Sequence, residues 1–340
     1  MPWLACALGG LAACDRDVPE PRGLDSPPLQ ILETEPDPEQ VSYPLERALR
    51  IRFNRYLLPQ SVVRQSVLVT PSLLDADTGA PKGPVSFFEP VYDPYERLVV
   101  MQLLPSTRWF PTTLYQVWLE SPEDRSDLTG FRAFDGTPLE QSASFFFITG
   151  DRVTNPDHDV DDGRPLVRFC DVDAGAPELP AAWPVLRGTC GRAGCHAAVG
   201  AQAPMTGLDL STVQGLRDTA LRLVARQTQT ATQVGVLSAG GEELGRNMPR
   251  IDPRNAGNSY VVYKLLVNPM NHPPAEEPGV ADPWLGGVRP PGSPPSAELS
   301  RLRRAFVRGE PMPPDGALQP AQMRAIVRWI LQGAEVTECP

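Results

Sequence analysis

The chain contains 340 residues with a formal net charge of -10, and its isoelectric point is about 4.9. This length is enough for two domains that each bury a hydrophobic core. A strongly acidic surface repels phosphate groups, so the composition argues against a nucleic-acid partner and against adsorption to an anionic membrane. The 40 prolines are more than twice the usual share, which predicts loops, edge strands and linkers in place of long helices.

The first 14 residues form a short apolar run that ends in the sequence Leu11-Ala12-Ala13-Cys14. This ending resembles the signal of bacterial lipoproteins, in which the chain is cut before the cysteine and the cysteine is lipidated. The run is too short to span a bilayer, and the alternative is an apolar tail of a cytosolic protein. The resemblance implies an extracytoplasmic protein anchored to the membrane through lipid on Cys14, with the polar, proline-rich residues 15–27 as a tether.

Residues 28–150 show short apolar or alternating segments separated by turns rich in Pro, Asp and Gly. In residues 48–53 apolar side chains alternate with Arg50 and Arg52, which predicts a half-buried strand. Short strands at this spacing, without helical segments between them, indicate a β-sandwich. The features that carry a family resemblance are Pro36 to Pro38, RIRFNRYLLPQSV (50–62), LLPSTRWFPTTLYQVWL (103–119), FRAFDGTPL (131–139) and FFFITG (145–150). They resemble the bacterial Ig-like domains of the surface-layer type.

Such domains usually serve as spacers or adhesive modules, and the segment shows no constellation of catalytic residues. A calcium site would require four aspartates to converge, namely Asp93, Asp124, Asp127 and Asp135. The alternative, which the sequence favours, is that these aspartates lie in solvated turns. The acidic residues 151–168 then predict a solvated linker to a C-terminal domain over residues 169–340.

The C-terminal half contains the sequence CGRAGCH, which runs from Cys190 to His196. Two thiols followed directly by an imidazole are typical of covalent haem c, although the usual spacing between the cysteines is two residues. Haem attachment predicts thioether bonds from Cys190 and Cys195 and an axial iron ligand from His196. One alternative is a local disulfide between the two cysteines. The other is a zinc site that takes its fourth ligand from His158, His272 or Cys170.

Apolar residues at helical spacing predict helices near residues 216–224, 258–265 and 297–308, and a final helix that begins at Pro320 and stops before Gly333. A Pro- and Gly-rich insertion occupies residues 268–295. The motifs that carry a second resemblance are C-x4-C-H, GLDLS (207–211), NSYVVYKLL (258–266), Met312-Pro313 and WILQGA (329–334). They resemble small c-type cytochrome-like domains of multidomain bacterial surface lipoproteins.

This second resemblance implies a mainly α-helical, haem-binding C-terminal domain in which Met312 is the second axial ligand of the iron. Met248 is the next candidate for that position. With both axial positions filled, a single haem transfers electrons one at a time and has no open site for a substrate. No catalytic acid, base or nucleophile is evident, so the chain is not expected to be an enzyme, and its redox partner is not identifiable.

The cysteines support an extracytoplasmic location. With Cys6 in the signal, Cys14 on lipid and two cysteines on haem, Cys170 and Cys339 are left to form a disulfide, which requires an oxidising compartment. The sequence thus predicts a multidomain β plus α protein of the cell envelope, an Ig-like spacer followed by an electron-transferring haem domain. The alternative is a structural or adhesive surface lipoprotein whose C-terminal domain is held by disulfides and carries no haem.

Overall fold

A computed structural model describes residues 26–74, 79, 82–122, 129–154, 166–170, 180–197, 207–228, 247–272, 294–305, 307 and 309–339. Its seven strands are β1 Ile31–Glu35, β2 Leu49–Phe53, β3 Val67–Pro71, β4 Phe88–Asp93, β5 Leu98–Leu103, β6 Leu114–Leu119 and β7 Ala143–Ile148. One sheet has the order β1-β2-β5-β4 and the other has the order β3-β6-β7, and every strand pair is antiparallel. The β-sandwich that the sequence predicts for this part of the chain is confirmed.

The core of the sandwich follows from the alternation of side chains along its strands. In β6, Tyr115, Val117 and Leu119 are buried, whereas Trp118 between them is exposed. The ring of Tyr115 lies 5.2 Å from that of Trp109, and Trp109 is itself buried. This pattern places one face of each strand against the opposite sheet, as in other two-layer sandwiches.

Strand β2 departs from the predicted half-buried pattern, because all five of its residues are buried. Arg50 donates to Glu35 at 2.7 Å, and Arg52 donates to the Glu96 carbonyl at 3.2 Å. A buried guanidinium is tolerated only where acceptors neutralise it and satisfy its hydrogen bonds. Local alternation could not predict these partners, which come from β1 and from the turn between β4 and β5.

In the described ranges after the sandwich there are five α-helices: α1 Ala182–Val185, α2 Val213–Thr219, α3 Tyr260–Leu266, α4 Ser296–Ala305 and α5 Pro320–Leu331. They are 4 to 12 residues long, and the described chain is mainly β-sheet with these few short helices. The prediction of a mainly α-helical cytochrome c-like domain is therefore wrong. A physical reason is visible at α3, which ends just before Pro269, because proline disfavours helical backbone in the residue before it.

The sandwich and the C-terminal part of the chain share one hydrophobic core. Tyr56, Tyr95 and Phe134 of the sandwich belong to the same buried cluster as Tyr263 of α3 and Ile326 of α5. The contact includes polar groups as well, since the Tyr95 hydroxyl donates to the Asn271 carbonyl at 3.2 Å and Arg324 donates to Glu96 at 2.8 Å. Although the linker boundaries at 151 and 168 remain a prediction, the two parts are packed against each other.

A buried ionic cluster also joins the two parts. Arg55, which follows β2, donates to both carboxylate oxygens of Glu298 in α4, at 3.1 and 3.2 Å. The same guanidinium donates to Asp135 at 2.6 Å and lies 5.7 Å from the centre of the Phe134 ring. The side chains of Arg55 and Glu298 are each only 2% exposed, so solvent screens this pair weakly.

The Asp135 carboxylate should make the free energy of unfolding depend on pH. Burial raises its pKa, but the hydrogen bond and charge of Arg55 outweigh burial and hold the pKa below the ordinary aspartate value. A lowered folded-state pKa contributes stability that is present at neutral pH and is lost as the pH falls through that pKa. We therefore expect Asp135→Asn to reduce stability at pH 7 and to flatten the loss of stability in acid. Urea unfolding between pH 7 and pH 3 measures both, and an unchanged pH dependence would contradict this role.

Candidate functional site

A cavity of about 500 Å³ lies in the C-terminal part of the chain. It is bounded by the π-helical turn Leu186–Cys190, by α3 and by the loop that carries Met312. Its lining residues are Thr189, Cys190, Gly194, Cys195, His196, Leu208, Leu210, Ala225, Arg226, Gln227, Arg250, Tyr260, Val261, Lys264, Leu265, Gly309, Glu310, Met312, Pro313 and Pro314.

Helix α3 supplies one wall of this cavity. Tyr260, Val261, Lys264 and Leu265 stand one and four residues apart, so they lie on a single face of the helix. The opposite sides of α3, including Val262 and Tyr263, are buried in the shared core. The cavity wall is consequently a fixed helical surface that is backed by packed side chains.

The Met312 loop forms a lip of the cavity, and Asn271 holds it in place. The side-chain Nδ2 atom of Asn271 donates to the carbonyls of Leu265 and Met312, at 2.8 and 2.9 Å. The side-chain Oδ1 atom of Asn271 accepts from the Leu318 backbone amide at 2.7 Å, and the residue has no exposed surface. Because these bonds connect three segments, Asn271 fixes the lip relative to α3. Sequence analysis missed this role, for which the only signal was the pair of amides in Asn268-Pro-Met-Asn271.

Positive side chains are concentrated at the cavity. Among the described residues, Arg226, Arg250 and Lys264 line it together with a single acidic residue, Glu310. Arg250 donates to the Gly207 carbonyl at 2.5 Å, which fixes the position of its guanidinium. Burial lowers the pKa of Arg250, and the nearby charge of Arg226 lowers it further. The cavity is thus locally cationic in a protein whose net charge is -10.

Burial also lowers the pKa of Lys264 to about 8, with a further contribution from Arg303 that Glu310 opposes. The pKa of His196 is lowered by burial and by the charges of Arg250 and Lys264, against a hydrogen bond to the Leu208 backbone. At neutral pH the imidazole is therefore mostly neutral, whereas Lys264 is mostly charged.

Cys190 and Cys195 are free thiols at the same cavity. Burial raises the pKa of Cys190 to about 11, and the neighbouring Cys195 raises it as well, so this thiol is protonated at neutral pH. Cys195 is exposed. The turn that joins them is closed by a hydrogen bond from the His196 amide to the Cys190 carbonyl at 3.1 Å. A protonated, half-buried thiol is a poor nucleophile, so Cys190 lacks the character of a catalytic cysteine.

The structure corrects the prediction of haem c. Cys190, Cys195, His196 and Met312 all line the cavity, yet the described residues include no group of three or more His, Cys, Asp or Glu side chains that could hold a metal ion. Nothing in the described residues therefore positively indicates covalent haem. The helical domain expected around the iron is also missing from the described chain. Met248, the second candidate ligand, is buried in the shared core and does not line the cavity.

Within the part of the chain that the structure describes, neither the zinc nor the calcium alternative finds its additional ligands. His272 is buried elsewhere, with its Nε2 atom 2.7 Å from the Leu266 carbonyl, and Cys170 is in a disulfide. Asp93 accepts a hydrogen bond from the Glu96 amide, and Asp135 pairs with Arg55. The remaining candidates lie outside the described residues, namely His158, Asp124 and Asp127.

Cys170 and Cys339 form a disulfide with a Cα–Cα distance of 5.2 Å across a sequence separation of 169 residues. Both cysteines pack against the shared core, so the bond ties the end of the chain to the segment that leaves the sandwich. Cys14, the predicted lipidation site, lies outside the described residues. Among the residues that are described, no helix has the length and apolar character needed to cross a membrane.

No protein family matches the chain, and no curated protein matches it. Domains 1–6 of the surface layer protein SbsC are similar, at 7% identity over 43% of this chain and 17% of that chain, with a TM-score of 0.26. PcoC, a copper resistance protein from Escherichia coli, is 15% identical over 35% of this chain and 97% of its own, with a TM-score of 0.25. CopC from Methylosinus trichosporium OB3b is 12% identical over 36% of this chain and 95% of its own, with a TM-score of 0.22.

The chain thus matches only 17% of the length of the SbsC chain. These weak likenesses are to β-sandwich folds, and at such TM-scores they support no inference about function. The structural feature that bears on the class of protein is the Cys170–Cys339 disulfide. Persistent disulfides belong to oxidising compartments, so the chain fits a protein of the cell envelope or cell surface.

Proposed function

We propose that this protein is a structural or adhesive lipoprotein of the cell envelope, anchored through Cys14, and that its β-sandwich and C-terminal part act as one rigid unit. The observation that carries the proposal is the Cys170–Cys339 disulfide, which closes the C-terminal part into a loop packed on the sandwich. A bond that spans 169 residues restricts the unfolded chain strongly, and persistent disulfides are typical of proteins outside the cytoplasm. The proposal assigns the protein no catalytic role.

The contacts between the two parts support a rigid unit. Arg55 and Glu298 pair in the buried interface, and Arg324 pairs with Glu96 beside it. Domains within one chain are expected to move relative to each other unless the interface between them is large and hydrophobic. The shared hydrophobic core around these pairs therefore favours a module that transmits or resists force over one that hinges.

Lipid anchoring at Cys14 is a direct test of the envelope assignment. We expect the wild-type protein to sediment with membranes and to incorporate labelled fatty acid, and we expect Cys14→Ser to lose both properties. The matched control is Cys6→Ser, which changes a cysteine within the same apolar run and should retain both. Membrane association of Cys14→Ser at the wild-type level would contradict the anchor.

The compartment can be tested separately by trapping thiols with a maleimide in intact cells and then mapping the peptides. We expect Cys170 and Cys339 to be protected as a disulfide while the exposed Cys195 is labelled. Labelling of Cys170 and Cys339 without prior reduction would show that the protein resides in a reducing compartment. That result would overturn the proposed function.

A further inference from the structure

The cavity has no part in the structural role proposed above, although its walls are well defined. A volume of about 500 Å³ lies within the range of small-molecule sites, which is roughly 300–1,000 Å³. Leu208, Leu210, Ala225, Val261 and Leu265 supply apolar walls. Such a site takes an apolar body and uses a few polar groups to orient it.

The charged side chains at the cavity indicate the charge of the polar group that a bound ligand would carry. Arg226, Arg250 and Lys264 are gathered around one space in a chain that is acidic overall. Cations at a partly buried site repel one another, and an anion placed among them would relieve both the repulsion and the loss of hydration. Glu310 is the one acidic residue among the described lining residues, and it pairs with Arg303 at 3.2 Å.

We propose that this cavity binds a single-chain amphiphile whose apolar tail fills the space and whose carboxylate is held by Arg226, Arg250 and Lys264. The site is preorganised on two sides. Arg250 is fixed by its hydrogen bond to the Gly207 carbonyl, and the Met312 loop is fixed by Asn271. Preorganisation lowers the entropic cost of binding, because few side chains must be ordered when the ligand arrives.

Isothermal titration calorimetry with dodecanoate, below its micelle concentration, tests the proposal on the full chain carrying Cys14→Ser, which keeps the lipid anchor out of the assay. We expect one molecule of dodecanoate per chain. Dodecyltrimethylammonium, which has the same tail and the opposite charge, should bind at least about tenfold more weakly, since charged hydrogen bonds contribute on that scale. Hexanoate should also bind more weakly because it buries less apolar surface.

Variants at the cations locate the site. Lys264→Met and Arg226→Gln should each weaken dodecanoate binding by about tenfold, because each removes one charged donor. The matched control is Arg217→Gln, a partly exposed arginine paired with Glu338 outside the cavity, and it should bind as the wild type does. Near-ultraviolet circular dichroism verifies that each variant is folded, and Arg226→Gln decides the matter if Lys264→Met does not fold.

The pH dependence gives a readout specific to Lys264. Its pKa of about 8 means that the ammonium loses its proton as the pH rises through that value, so the affinity for dodecanoate should fall in the same range. Lys264→Arg should retain affinity there, because a guanidinium stays charged. Equal binding of the two dodecyl probes, or no heat from dodecanoate up to its solubility limit, would overturn the proposal. Wild-type affinity in folded Lys264→Met and Arg226→Gln would overturn it as well.

Discussion

Replacing both Cys170 and Cys339 with alanine is expected to lower the free energy of unfolding by about 3–5 kcal/mol. The disulfide closes a loop across 169 residues, and on the chain-entropy model a long loop removes more freedom from the unfolded state than a short one does. The bond also holds the segment after α5 against the core that includes Phe169 and Trp329, whose rings lie 5.5 Å apart. Losing it should therefore expose the edge of the shared core to solvent.

Urea unfolding followed by tryptophan fluorescence measures this change. The control is Cys195→Ala, which removes an exposed free thiol and should leave stability within about 0.5 kcal/mol of the wild type. Addition of a reductant should destabilise the wild type and the control, and it should have little effect on the double alanine variant. Equal stability of the wild type and the double variant would mean that the disulfide does not hold the C-terminal part.

Arg55→Met should lower the free energy of unfolding by a similar amount, about 3–5 kcal/mol, because it leaves buried carboxylates without their cation. Of the cationic partners that the described residues give it, Glu298 would keep Arg301, at 3.2 Å, and Asp135 would lose Arg55 at 2.6 Å. The guanidinium also covers the Phe134 ring, and methionine replaces that contact only in part. Since Arg55 and Glu298 lie in different parts of the chain, the loss should loosen the contact between sandwich and C-terminal part.

The matched control is Arg303→Met, which breaks the exposed pair with Glu310 and should cost less than about 1 kcal/mol. A double-mutant cycle with Arg55→Met and Glu298→Gln isolates the energy of the buried pair. Limited proteolysis should cut Arg55→Met faster than Arg303→Met between the sandwich and α4. Similar stability of the two single variants would contradict a specific role of the buried pair.

The sequence identified individual residues of the candidate site, but it did not predict how they are arranged. The sequence singled out Cys190, Cys195, His196 and Met312, and the structure places all of them at one cavity. Whether they act together in one site depends on their positions in space, which the packing of the short helices sets and the spacing along the chain does not. Sequence analysis did not single out the cations Arg226, Arg250 and Lys264, because they come from separate segments of the chain. Lys264 is part of NSYVVYKLL, but that motif indicates a helix and says nothing of a shared cationic site.

The sequence by itself determined the features that depend on neighbours along the chain. Alternation of apolar residues specifies the strands of the sandwich, as in β6, and Pro320 marks the start of the final helix. Only the tertiary structure decided the features that depend on distant partners, such as the burial of Arg50 and the pairing of Arg55 with Glu298 across 243 residues. A charged side chain can be buried only where opposite charges and hydrogen-bond acceptors lie next to it. Distant segments of the chain supply these partners, so their positions are set by the tertiary fold.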